Sequence, residues 1–310
     1  MGSLVGHVAP GLGFFIIGLW HLYNHLKLLA QKGPQHYKSQ PWFPSPWTSL
    51  RHLELHLIML GSAISVAMEL FIGPARHQPF DSDGSIPTYH LHNFEHSSIS
   101  LTLFVYAAFT LLLHRLRTPI PSQEDVAQLL GAAAFAQELL LFHLHSADHD
   151  GVEGQFHWLL QLVVFVSLSS TLLGIALPRS FVVSLVRSLS IVYQGGWLIV
   201  MGFELWTPAL IPKGCFLNLE EGHQVVRCDG EESLHRAKAL VNIHFSWFFI
   251  LVAILATSFY IFMMTVHGDD KANYMPLTED AEAQKIDEKS IEMHRCVLGD
   301  DAKAIYHMER

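Results

Sequence analysis

Seven stretches of the chain are apolar for long enough, or nearly so, to cross a hydrocarbon core of ~30 Å, which takes ~20 helical residues. They fall near residues 8–29, 50–72, 90–113, 125–146, 157–176, 181–205 and 239–264. Polar positions gather in the connections between them. Only "LPRS" parts the fifth stretch from the sixth, so a tight turn is expected around Pro178. Residues 31–49 form a Pro- and aromatic-rich loop whose Trp42 and Trp47 suit the headgroup layer. The pattern predicts an all-α, polytopic bundle of seven transmembrane helices over residues 1–267. A polar, mobile cytoplasmic tail is expected over 268–310. Residues 1–6 lack the basic region of a cleaved leader, so the first stretch is expected to stay as a helix.

Composition agrees with this picture. Half of the 310 residues are hydrophobic and 15% are charged, as a membrane protein requires. The net charge of −9 (19 basic against 28 acidic residues) comes largely from the tail, and no basic surface suits a nucleic acid. The lipid bilayer is the expected partner. Apolar stripes that face lipid serve equally well against a second copy, which keeps a homo-oligomer open. The tail segment "NYMPL" is a candidate dock for a protein partner.

Lys and Arg distribute unevenly over the loops. The first loop holds Lys27, Lys32, Lys38 and Arg51, the third Arg115 and Arg117, and the fifth Arg179. The second holds only Arg76 and the fourth holds none. The bias predicts cytoplasmic odd-numbered loops, an outer or lumenal N-terminus and a cytoplasmic C-terminus, although Lys213, Arg227 and Arg236 in the sixth loop oppose it. On that orientation Cys215 and Cys228 lie in an oxidising compartment, where a disulfide and two free thiols are both open.

The polar residues inside the stretches add chemistry. The 21 histidines, about one residue in fifteen, are the oddity of the composition. Many fall at the outer end, among them His7, His90, His92, His96, His143, His145, His149, His157 and His235, with His244 somewhat deeper. Glu69, Glu95 and Glu204 accompany them. "HNFEH" sets His92, Glu95 and His96 at i, i+3 and i+4, on one helix face. Glu138 and His145 are seven apart and share a face in "FAQELLLFHLHSADHD". Imidazoles and carboxylates converging from several helices are ordinary ligands for zinc. The preferred candidates are His92, His96, Glu138, His143, His145 and His244, with Glu69, Glu95 and Glu204 as groups that would orient them. Loop-facing His90 and His149 are expected to meet headgroups or water. A second group at the cytoplasmic end, His21, His25, His52, Glu54 and His56, contains two four-apart histidine pairs that suit a metal, and the stronger expectation is that they are interfacial residues flanking the basic loop.

Three function classes follow. The first is a membrane protein with a divalent-metal site of the zinc type near its outer face. Such a metal would hold structure or activate water against a membrane lipid, with Asp148 or Asp150 as base. The second is a non-enzymatic scaffold or receptor whose histidines and carboxylates satisfy one another. The third is a haem-bearing electron carrier, built from paired histidines at the two faces. Beyond the histidines, Ser167, Ser169, Ser170 and Thr171 are expected to pack helices closely. Gly195 and Gly196 predict a kink or a close approach. Arg187 lies too deep to be casual, and a carboxylate partner, a snorkelling side chain and a misplaced boundary all remain open.

The sequence resembles the transmembrane protein 45 family, also known as DUF716, whose plant members are described as viral-response proteins. The likeness runs from about residue 7 to 265. It rests on "HVAPGLGFFIIGLWH", "HNFEH", "FAQELLLFHLHSADHD", "YQGGWLIVMGFELW" and "NIHFSWFF". The fourth-span motif is the most distinctive, an acidic residue followed by H-x-H, here Glu138, His143 and His145. His92 departs from the pattern of the animal members. The resemblance implies seven spans, a defence-related label for the plant branch and no defined biochemical activity.

Overall fold

The computed structural model describes residues 3–73, 77–116, 118, 120–148, 151–220 and 223–272, and of 145–148, 223 and 268–272 only the backbone. Seven helices are long and apolar enough to cross a membrane. They are α1 (Leu4–Lys32), α2 (Leu53–Ala67), α3 (Leu91–Arg115), α4 (Gln123–Asp148), α5 (Val152–Ala176), α6 (Phe181–Trp206) and α7 (Glu231–Ala272). The chain is an integral, multi-pass membrane protein with an all-α membrane domain. The shortest span, α2 with the turn that follows it (Leu53–Ile72, 20 residues), reaches ~30 Å at 1.5 Å per residue, enough for a hydrocarbon core.

The helix ends follow local chemistry. Ser3 caps α1 by accepting from the Gly6 N–H at 3.0 Å, and Gly33, with φ of 72°, ends it. Ser180 caps α6 just past the turn at Pro178. The last helix starts eight residues before its apolar pattern does. Glu231 and Glu232 in its first turn favour the helix dipole, which extends it through "EESLHRAK". At the end of α2 the backbone widens into a π-helical turn over Met68–Ile72, which carries Glu69.

The chain forms two compact units, Met1–Tyr260 and Ile261–Arg310. The first holds six complete helices and most of α7. The described part of the second is the end of α7, and the expected mobile tail lies outside the described residues from 273 onward. In the first unit α6 is the most deeply buried span, packed against α1 and α5, while α2 pairs with α3 and α4 bridges α3 to α5. The odd-numbered connections lie at one face, here the first-loop face. The N-terminus and the even-numbered connections lie at the other, the N-terminal face.

Hydrocarbon surroundings reward burial of apolar side chains far less than water does, so close backbone approach and interhelical hydrogen bonds hold the helices together. Glycines set the α1–α6 contact. A Cβ on Gly195 would lie 2.3 Å from the Phe15 nitrogen, and one on Gly18 would lie 2.6 Å from the Val192 nitrogen. Gly196 admits the Phe248 ring of α7, 2.3 Å from where its Cβ would stand. Of the two expectations for this glycine pair, close approach is what the fold uses. Hydrogen bonds add to it. Ser167 of α5 donates to Ser190 of α6 at 2.9 Å, and Gln128 of α4 to the Thr171 carbonyl of α5 at 2.8 Å. Ser170 and Thr171 spend their hydroxyls inside α5.

Two loops are more ordered than the sequence suggests. The sixth connection folds into an antiparallel hairpin, β1 (Cys215–Glu220) with β2 (His223–Cys228). Cys215 and Cys228 stand opposite each other in it and are joined by a disulfide. Arg227 clamps Glu220, with Nε donating to Oε1 at 2.7 Å. This holds the Glu220 carboxyl down at about 2. The first loop, residues 33–52, folds inward at the first-loop face. Ser39 N–H donates to the Pro178 carbonyl at 2.7 Å, and Tyr106 donates to the Pro41 carbonyl at 2.9 Å. Trp42 therefore does not sit at headgroups: it is buried against Leu55 and Ala107 and close to His52 and His114. Trp47 stays exposed, as expected.

Candidate functional site

Three glutamates inside the membrane domain each meet a histidine from a different helix. Glu54 of α2 and His21 of α1 lie 2.8 Å apart, as do Glu204 of α6 and His244 of α7. Glu69 at the π-helical turn of α2 lies 3.7 Å from His96 of α3, an ion-pair distance rather than a hydrogen bond. Asn93 donates to Glu69 at 2.8 Å and fixes its orientation. A carboxylate in the bilayer interior is costly unless it is paired, and these pairs supply the partner.

Of the six preferred metal candidates, five have described side chains, and their contacts differ from one to the next. His92 is exposed and faces Glu95 on its own helix at 3.2 Å. His96 turns the other way, to Glu69. Within "HNFEH" the contacts thus differ, with Glu95 beside His92 and Glu69 beside His96. His143 is exposed, with Nδ1 3.2 Å from the Gln161 amide oxygen of α5. Glu138 points into the bundle, where Gln194 of α6 donates to Oε1 at 2.7 Å. His244 belongs with Glu204. The side chain of His145 lies outside the described residues, as do His149, Asp150 and the side chain of Asp148. Among the described residues no group of three or more His, Cys, Asp or Glu is arranged to hold a metal ion. His235, expected in the outer group, is exposed and 3.7 Å from Glu231.

Another imidazole pair at the N-terminal face involves residues ranked lower by sequence. His7 is buried, stacks on Trp206 at 4.5 Å and meets the His157 ring edge-on at 5.9 Å. His157 is buried too, its Nδ1 2.9 Å from the Glu153 carbonyl. His90 corrects its expectation outright. It is fully buried at the start of α3, and neither ring nitrogen has a hydrogen-bond partner.

At the first-loop face the group expected to be interfacial is a buried network instead. Glu54 is its hub. It accepts from Trp20 Nε1 at 2.9 Å, from His21 Nε2 at 2.8 Å and from the Phe43 N–H at 2.9 Å. His25 lies between Tyr37 Oη at 2.8 Å and Arg187 Nη2 at 3.1 Å. Arg187 also donates to the Gln40 carbonyl at 2.7 Å. Of the expectations for this arginine, a carboxylate partner is not what the described residues provide: it meets an imidazole, the Gln40 carbonyl and, at 3.5 Å, the Ser39 hydroxyl. Burial raises the Tyr37 hydroxyl to about 12. His52 and His56 stay at the rim. His52 is held below its ordinary range, first by burial and then by Arg115 and Arg51. The His56 ring meets the His52 carbonyl at 2.8 Å.

Sequence reasoning missed the neutral partners Trp20, Asn93, Gln161 and Gln194, which have no helical spacing rule to betray them. It also missed the role of the first loop, although "PWFPSPW" carries more large aromatics than a solvated loop needs.

These paired residues lie partly in a segment with known relatives. Residues 124–261, from the start of α4 into α7, match the model of a family of unknown function, DUF716, the family expected from the motifs.

Proposed function

We propose that this chain is a non-enzymatic membrane scaffold or receptor whose interior is held by carboxylate–histidine contacts between helices. The supporting observation is the division of the carboxylates. Glu54, Glu69 and Glu204 each take one histidine across a helix interface, which ties α1 to α2, α2 to α3 and α6 to α7. Such pairs fix helix register, and interhelical polar contacts of this kind contribute on the order of 1 kcal/mol each in a bilayer. The Lys and Arg bias supports a cytoplasmic first-loop face and an outer or lumenal hairpin. A second copy and a partner of the polar tail are the associations this reading admits.

A specific observation favours a second reading, a zinc-type site at the N-terminal face. The Glu69–His96 pair and the His7–His157 pair gather at that face, on four different helices. Their oxygen and nitrogen donors are of the kind a divalent cation takes. A bound cation there would supply a Lewis acid, the requirement for a metal-dependent lipid hydrolase.

One experiment separates the readings. The full chain is purified in detergent without chelator and assayed for bound metals. Melting is followed with and without a chelator, beside His96→Ala and His143→Ala/His145→Ala variants. No stoichiometric metal and an unchanged melting temperature support the scaffold. One metal per chain, lost from a folded variant, replaces it with the metal reading. A Soret absorption band from the same sample would replace both with a haem carrier.

A further inference from the structure

Glu138 and Gln194 face each other deep in the bundle, one near the middle of α4 and the other near the middle of α6. Both are buried, with Gln194 fully so. Their surroundings are apolar: Phe135 and Phe142 on the flanking turns of α4, and Ile191, Trp197 and Leu198 on those of α6, belong to one buried cluster. The Gln194 amide donates to Glu138 Oε1 at 2.7 Å. Glu138 Oε2 and Gln194 Oε1 are buried and have no hydrogen-bond partner.

Counting donors and acceptors exposes a shortage. An ionised Glu138 offers two acceptor oxygens and Gln194 a third, against the amide hydrogens of one residue. Two buried acceptors are then left empty and a full charge is left in an apolar setting, each at a cost of kcal/mol. One proton removes all three problems. On Oε2 it neutralises the charge and turns that oxygen into a donor. The acceptor it needs is the one left empty on the facing residue. A carboxylic acid and a primary amide are complementary in this way: amide N–H to acid carbonyl, acid O–H to amide carbonyl.

We propose that the Glu138–Gln194 pair is a proton-binding site in the core of the membrane domain, with Glu138 held as the neutral acid. The proton comes from bulk water and breaks no bond in the protein. Among the described residues, the charged and titratable groups of the neighbouring elements are engaged elsewhere. Arg187 of α6 holds the first loop, Glu204 holds His244 of α7, and Tyr193 donates to the Phe245 carbonyl. His143 of α4 faces Gln161, Glu153 and His157 lie at the start of α5, and His96 of α3 faces Glu69. On α1, His7 stacks on Trp206 and His21 binds Glu54. Among the described residues the hydrogen-bond partner of Glu138 is Gln194.

Infrared spectroscopy of the detergent-purified full chain at pH 7 tests this. The expected result is a protonated-carboxyl C=O band that shifts in D2O, vanishes in Glu138→Gln and moves in Gln194→Leu. Glu138→Gln should keep the wild-type melting temperature, since an amide replaces a neutral acid of the same shape. Absence of the band from the folded wild type overturns the proposal and needs no variant. So does a band that survives Glu138→Gln, or a wild-type melting temperature that rises with added sodium or zinc ion while the band is missing.

Discussion

Arg187 Nη2 stands 3.1 Å from His25 Nε2, and a guanidinium can only donate. His25 Nε2 must therefore carry the lone pair, and the ring is a neutral tautomer with its hydrogen on Nδ1, directed at Tyr37 Oη 2.8 Å away. This tautomer is assigned by the network around it. Nitrogen NMR of histidine-labelled protein should assign the Nδ1–H form to His25, as to the buried His7 and His157 whose Nδ1 atoms face carbonyls. Arg187→Gln should erase the His25 signature, lower stability by roughly 2–4 kcal/mol and speed hydrogen exchange over residues 37–43.

Glu54 accepts three hydrogen bonds, two from α1 and one from the first loop. Glu54→Ala leaves three donors without a partner, two of them buried, and should cost about 3–5 kcal/mol. Glu204→Ala, whose pair with His244 is about one-third open, should cost about 1 kcal/mol. Melting in detergent or nanodiscs compares them. Equal losses would remove Glu54 from the centre of the network.

Tyr37 brings a pH dependence. Burial raises its hydroxyl to about 12, against about 10 for an exposed tyrosine. A raised folded-state value contributes stability that is full below pH ~10 and is lost as pH rises through ~12. Wild type should thus lose stability over that window more steeply than Tyr37→Phe. Parallel alkaline melting curves would contradict it.

Close packing of α1 on α6 leaves Gly195 no room for a Cβ, whereas nothing lies within 4 Å of the position on Gly13. Gly195→Ala should destabilise by about 1–3 kcal/mol through overpacking against backbone. Gly13→Ala should be neutral or slightly stabilising. The pair of melting temperatures decides it.

The Cys215–Cys228 bond closes a short loop, a separation of 13 residues. Cys215→Ser with Cys228→Ser should remove about 3 kcal/mol of local stability from the hairpin. Helical circular dichroism should stay unchanged. Intact mass before and after reduction and alkylation reports the bond directly.

Much of this architecture was legible in the sequence. All seven spans fall where the apolar runs place them, because length and hydropathy alone decide what a bilayer accepts. The site was less legible. Helical periodicity puts His92 and His96 on one face, but it does not say where the neighbouring helix passes. In the structure the two histidines part company within one turn. Burial was misjudged at both faces for a related reason. His21, His25 and Trp42 flank a basic loop and look interfacial, yet that loop folds over them and makes their surroundings dry. Glu138 stood out as an acidic residue in an apolar run, and Gln194, on which its chemistry depends, is 56 residues away with no local signal.

The inward fold of the first loop has a practical consequence for anyone placing labels on this protein. Residues 37–43 are held by backbone contacts to α3, α6 and the turn before α6, so an epitope inserted there should act as a core lesion. The exposed turn at Asp81–Ser85, closed by Asp83 on Ser85, offers a permissive position at the opposite face. Reporter insertions at these two places would map accessibility across the membrane with only one of them disturbing the fold.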